Sequence, residues 1–126
     1  MSSESLHEAA EKLSPATIDR HRATISLMEE LEAIDWYDQR IDAATDDTLK
    51  AILRHNRDEE KEHAAMVLEW LRRQDPVLDQ QLRTYLFKDG DIVSAEAEAE
   101  AEGGGGGDPT EGSLGIGDLR SEEVAP

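Results

Sequence analysis

The sequence is poor in cysteine, basic residues, aromatic residues and long apolar runs. Its 126 residues contain no cysteine, which excludes disulfides and thiolate metal sites. Only 13 lysines and arginines stand against 30 acidic residues, and the resulting net charge of −17 argues against a nucleic acid as partner. No apolar run approaches the roughly 18 residues of a membrane-spanning helix, and residues 1–12 lack a signal-peptide apolar region. We therefore expect a cytoplasmic protein, away from membranes, whose surface attracts cations.

Capping signals predict two long helices and a short one. Ser14-Pro15 is a cap followed by proline, and the first helix should run from there to about Ala43. A brief acidic turn precedes a second helix that should run from about Asp46 to Gln74. Such a short connection makes the pair an antiparallel hairpin. Asp75-Pro76 repeats the start signal, and Asp89-Gly90 should end the third helix.

The fold class predicted is all-α. Only five aromatic residues are available, which makes a thin core for an isolated domain. A hairpin of two helices also cannot bury both of its apolar stripes on itself. Two hairpins packed together would form a four-helix bundle. The expected organisation has five parts, which are a flexible N-terminus (1–13), a helical domain (14–93), a disordered acidic and glycine-rich linker (94–112), a docking peptide (113–120) and a tail (121–126).

Three ionisable residues occupy positions where the helical pattern calls for apolar ones. In the second helix, the stripe that steps by three and four residues passes through Glu60 and His63. Glu30 lies in the equivalent stripe of the first helix, between Leu27 and Ile34. A charge at such a position is costly unless it is paired or bound to a metal. By themselves these residues leave both a satisfied buried pair and a metal site open.

A pair of chains would complete a recognisable ligand set. Two copies offer one glutamate from each of two helices and Glu-x-x-His from each of the other two. This is the known ligand set of di-iron carboxylate bundles. Carboxylates can bridge two cations about 3.5–4 Å apart, and imidazole suits Fe(II). Dioxygen could then take one electron from each iron.

The chain resembles the encapsulated ferritin family. The resemblance is carried by RHR at 20–22, MEELEAIDWYDQR at 28–40, HNRDEEKEHAAM at 55–66 and LEWLRR at 68–73. It spans roughly residues 18–93. A separate segment, GSLGIGDLR at 112–120, resembles the family's encapsulin-targeting peptide. Its three aliphatic residues are separated by glycines, as in an extended peptide that docks into a groove.

The resemblance implies a ferritin-like bundle and a function. Glu30, Glu60 and His63 would bind and oxidise iron, two Fe(II)/Fe(III) ions per site at the subunit interface, with Tyr37 as a near neighbour. Glu29 and Glu32, near Trp36, would match an auxiliary metal-uptake site. The family forms dimer-built rings, commonly decamers, and delivers iron for storage inside an encapsulin nanocompartment. Residues 113–120 would bind the shell protein.

Three functions compete for this sequence. The leading hypothesis is a ferroxidase that oxidises Fe(II) to Fe(III) with dioxygen. The second is a metal-free helical cargo or scaffold protein, recruited for its shape through residues 113–120. The third keeps the di-metal site but uses it for peroxidase-type chemistry.

Overall fold

The computed structural model describes residues 5–103, and every regular element in that range is helical. A 3-10 turn at Ala10–Lys12 precedes helix α1 (Pro15–Ala43), α2 (Asp47–Gln74), α3 (Pro76–Tyr85) and α4 (Ser94–Gly103). The predicted all-α class is confirmed. The docking peptide predicted at 113–120 lies outside the described residues. Within residues 5–103, no helix is long and apolar enough to cross a membrane.

The predicted caps set the ends of the first two helices. The Ser14 hydroxyl accepts a hydrogen bond from the Thr17 backbone N–H at 3.1 Å, with proline next in the chain. Helix α1 stops when Ala44 turns to an extended backbone conformation (ψ 150°). Two residues later the carboxylate of Asp46 accepts from the Leu49 N–H at 2.8 Å and starts α2. The connection is therefore only three residues long, residues 44–46, which forces the two helices to lie side by side and antiparallel.

The hairpin of α1 and α2 has a thin core. Among the described residues only Ile41 and Ala64 are buried apolar side chains. The stripe of α1 that contains Glu30 is buried or half-buried along its whole length, at Ala23, Leu27, Glu30, Ile34, Tyr37 and Ile41. Yet several large apolar residues of the hairpin remain exposed, namely Met28, Leu31, Trp36, Leu49, Ile52, Met66 and Trp70. The hairpin by itself leaves much apolar surface in water.

The second unit of the chain, which begins at Asp75, contains α3 and α4. The Asp75 carboxylate accepts from the N–H groups of Val77 and Leu78, both at 3.0 Å, and starts α3 as predicted. The helix ends at Tyr85, earlier than the expected stop at Asp89-Gly90. Leu86 is already extended (ψ 147°), and left-handed backbone conformations follow at Phe87 (φ 59°) and at Gly90 (φ 95°).

Helix α4 corrects the expectation of a disordered linker over 94–112, since residues 94–103 are helical. Alanine and glutamate are both strong helix formers, and their propensity outweighs the absence of an apolar stripe. The Asp91 carboxylate accepts from both the N–H and the hydroxyl of Ser94, at 2.9 and 2.8 Å, and starts the helix. Ala95 and Ala99 are half-buried, and α4 contacts α3.

Candidate metal centre

The antiparallel hairpin brings the three inward-facing ionisable residues together. Near the turn, Asp38 of α1 pairs with Arg57 of α2 at 3.0 Å. Two helical turns further from the connection, the same register places Glu30 of α1 opposite the turn of α2 that carries Glu60 and His63. Glu60 and His63 share a face because they are three residues apart on one helix. The local sequence thus provides two of the groups, and the pairing of the helices adds the third.

The three side chains converge on one point. His63 Nδ1 lies 3.7 Å from Glu30 Oε1 and 3.7 Å from Glu60 Oε1. One donor atom from each residue lies within 4.8 Å of the others, and all three residues are half-buried. Donor atoms that bind one cation at about 2.0–2.2 Å stand about 3–4 Å from one another. The donor set and its spacing therefore fit a metal ion.

The electrostatics of the cluster also favour a cation. The pKa of Glu30 is raised, chiefly by its hydrogen bond with the Glu60 carboxyl group, then by burial and by the negative charge of Glu60. The charge of His63 opposes this rise, and that of Glu29 adds slightly to it. The cause of the shift is the close approach of two acidic groups, which repel each other when both are ionised. A metal ion at this point would supply a positive charge between the two carboxyl groups.

Other predicted site residues lie outside this cluster. Tyr37 is two turns along α1 from Glu30, and its half-buried ring lies 5.4 Å below the guanidinium carbon of Arg40. Glu29 and Glu32 are exposed, as is Trp36. The auxiliary metal site at Glu29 and Glu32, and the role of Tyr37 beside the centre, remain predictions from the resemblance.

Glu59, which was not among the predicted site residues, also contacts the cluster. Its Oε1 lies 3.8 Å from His63 Nε2, the ring nitrogen on the side away from Glu30 and Glu60. Its Oε2 lies 3.9 Å from Nε2 of His55, one turn earlier on the same helix. The signal that could have identified it is the spacing of four residues on either side, which places His55, Glu59 and His63 in one row.

A sequence profile of the EncFtn-like family matches residues 5–89, which include both long helices and all three residues of the cluster. The chain belongs to this family. The resemblance read from the sequence is thereby confirmed. The match includes α1 and α2, which carry the three residues of the cluster, and also α3. The part of the chain that this EncFtn-like protein shares with its family therefore contains the cluster.

Individual relatives agree with the family assignment. The chain is 59% identical to the encapsulated ferritin-like protein of Rhodospirillum rubrum over 128 residues, covering 96% of this chain and 91% of the relative. It is 46% identical over 52 residues to the encapsulin nanocompartment cargo protein EncC of Myxococcus xanthus, covering 41% and 40% of the two chains. A crystal structure of a Nitrosomonas europaea protein, 60% identical, superimposes with a TM-score of 0.68 over 69% of this chain and 96% of that one.

Proposed function

We propose that this EncFtn-like protein is a ferroxidase that oxidises Fe(II) to Fe(III) with dioxygen at a di-iron centre shared by two copies of the chain. The observation that carries the proposal is the convergence of Glu30, Glu60 and His63 on one point of the hairpin. Carboxylate oxygens stabilise Fe(III), imidazole suits Fe(II), and a mixed set accepts both states. The family assignment supports iron as the metal.

Charge balance favours a site built from two chains. One chain supplies two carboxylates and one imidazole, too few groups to hold two metal ions. Two chains supply four carboxylates and two imidazoles, and four negative charges balance the four positive charges of two Fe(II) ions. Carboxylates from either chain can then bridge the two metals.

The surface around the cluster suits a second copy of the chain. The α2 stripe that holds Glu60 and His63 continues to Val67 and Trp70, and these two residues line an open groove of about 390 Å³. Ala23 and Ser26 of α1 form part of its opposite wall. Since the hairpin buries so little apolar surface on its own, a second hairpin over this face would supply the missing core. We extend the proposal to a dimer-built ring, with a decamer as the size that the resemblance implies.

The reaction requires one electron from each iron. Two Fe(II) ions and one dioxygen, with two protons, give two Fe(III) ions and reduce the oxygen to the level of hydrogen peroxide. In this scheme iron is the substrate, and the protein contributes position and charge. Glu30 and Glu60 would bind iron as carboxylates, and their negative charge would favour the ferric product.

The test follows ferric absorbance after Fe(II) is added in air. We expect Glu60→Gln and His63→Ala to slow oxidation at least about 100-fold, because losing a ligand should cost no less than losing a group that only orients one. Glu62→Gln, the same change at an exposed position of the same helix, is the matched control and should oxidise at the parent rate. Equal rates in all four proteins would rule out the ferroxidase. Turnover with peroxide far above that with dioxygen would instead indicate the peroxidase-type reaction.

We further propose that residues 113–120 address the protein to an encapsulin shell, so that it works inside a nanocompartment and supplies iron for storage. The similarity to a protein named as encapsulin cargo supports this, as does the glycine-spaced Leu114, Ile116 and Leu119. Deleting residues 113–120 should leave iron oxidation intact and abolish loading into a co-expressed shell, while deleting 121–126 should change neither. Loading that persists without residues 113–120 would mean that the helical body carries the address.

A further inference from the structure

The two ring nitrogens of His63 face different groups. Nδ1 points into the cluster, 3.7 Å from an oxygen of Glu30 and 3.7 Å from one of Glu60. Nε2 points the other way and lies 3.8 Å from Oε1 of Glu59. The imidazole therefore stands between the metal-binding carboxylates on one side and a separate carboxylate on the other.

A histidine can bind a metal only through a nitrogen that carries a lone pair. Neutral imidazole has one N–H and one lone pair, and the proton can sit on either nitrogen. The group that accepts the N–H decides which nitrogen is left for the metal. In metal sites this acceptor is commonly a carboxylate, and it also fixes the orientation of the ring.

We propose that Glu59 is a positioning residue of the metal centre, whose carboxylate accepts the Nε2–H of His63 and so keeps the Nδ1 lone pair directed at the metal. The proposal rests on the proposed function, since it assumes that His63 is a ligand. The 3.8 Å separation is longer than a direct hydrogen bond of about 2.7–3.2 Å. Both side chains are partly exposed, 49% for Glu59 and 41% for His63, so a small rotation of either brings the atoms together.

His55 helps to hold Glu59 in that place. Its Nε2 lies 3.9 Å from the second oxygen of Glu59, so the carboxylate stands between two imidazoles, one a turn before it and one a turn after. These two contacts place the carboxylate in one row with the two histidines along α2. Glu62 provides the contrast. It is adjacent to His63 in sequence, yet it lines a groove with Ala65 and Trp70.

The test compares Glu59→Ala and Glu59→Gln with Glu62→Ala in the full-length protein. Nitrogen–proton correlation spectra of the metal-free protein report which nitrogen of His63 carries the proton. We expect the Nε2–H form in the parent and in Glu62→Ala, a mixture of both forms in Glu59→Ala, and partial recovery in Glu59→Gln, whose amide oxygen still accepts. Zn(II) affinity by calorimetry should fall about 10–100-fold in Glu59→Ala and stay at the parent value in Glu62→Ala.

Two outcomes would overturn the proposal in distinguishable ways. If Glu59→Ala keeps the parent tautomer and the parent Zn(II) affinity while His63→Ala loses affinity, Glu59 has no positioning role and the metal centre stands. If His63→Ala itself binds Zn(II) as tightly as the parent, His63 is not a ligand, and the proposed metal centre fails together with the role of Glu59.

Discussion

Helix α2 carries two acid–base pairs with the same spacing and opposite properties. In both, a glutamate precedes a basic residue by three positions, Glu60 before His63 and Glu69 before Arg72. Arg72 donates to both oxygens of Glu69, at 2.8 and 2.7 Å, and Arg73 adds a third bond at 2.7 Å. These bonds lower the pKa of Glu69 to about 2. At the other pair the contacts are 3.7 Å long, and a second carboxylate, Glu30, faces the histidine.

The difference lies in what supplies the positive charge. Arginine is always protonated and matches a carboxylate with two parallel hydrogen bonds, so Glu69 needs nothing more. At the other pair a single imidazole faces two carboxyl groups, and the hydrogen bond between Glu30 and Glu60 raises the pKa of Glu30. One pair is therefore complete within the helix, whereas the other has room and charge for a cation.

Replacing His63 by arginine should make the Glu60–His63 pair resemble the Glu69–Arg72 pair. In His63→Arg a fixed positive charge would pair with Glu30 and Glu60, as Arg72 does with Glu69. We expect Zn(II) affinity to fall at least about 100-fold, while the metal-free protein gains thermal stability. Calorimetry and thermal unfolding in a chelator measure the two effects. Ala51→Arg, which adds the same charge at an exposed position of α2 outside the cluster, is the control. Undiminished Zn(II) binding in His63→Arg would show that a fixed positive charge at position 63 does not take the place of the metal ion.

Metal should drive association, because the proposed centre takes half of its ligands from each of two chains. A ligand that binds the associated form stabilises it by RT ln(1 + [L]/Kd), about 2.7 kcal/mol at a hundredfold excess over Kd. Sedimentation velocity with and without Zn(II) should therefore show a shift to larger species, and His63→Ala should not respond. Identical distributions with and without metal in the parent would count against a centre shared between chains.

The sequence predicts the helices well because their ends depend on local chemistry. Proline at the first helical position and the caps at Ser14 and Asp75 act over three residues, and the structure begins α1 and α3 where they indicate. Helix α4 was missed because propensity alone sustains it, with no apolar stripe to signal it. In the same way Glu30, Glu60 and His63 follow from the stripe pattern, whereas the contact of Glu59 depends on side-chain rotamers that spacing does not specify.

The raised pKa of Glu30 should appear as a pH dependence of stability. Since the pKa of Glu30 is raised in the folded state, this one carboxyl group binds its proton more tightly in the folded than in the unfolded protein above the usual glutamate pKa of 4.5. Stability is therefore lost as pH rises from 4.5 through the folded pKa. Glu30→Gln should remove this loss and unfold at a higher temperature than the parent at pH 7 in a chelator, but not at pH 4. Glu32→Gln, which changes an exposed carboxylate of the same helix, should follow the parent.

The pair of Glu69 and Arg72 should give the opposite pH dependence of stability, with a small amplitude. The pKa of Glu69 falls from 4.5 to about 2 on folding, so its contribution is present above pH 4.5 and is lost as pH falls towards 2. Because 42% of the Glu69 side chain is exposed, water screens the pair, and we expect Glu69→Gln to cost no more than about 1 kcal/mol at pH 7. Acid titration of the unfolding midpoint between pH 5 and pH 2 should be shallower in Glu69→Gln than in the parent. Iron oxidation should be unchanged by this substitution, since the arginines already satisfy Glu69. Slower iron oxidation in Glu69→Gln would mean that the Glu69–Arg72 pair is coupled to the Glu60–His63 pair along α2.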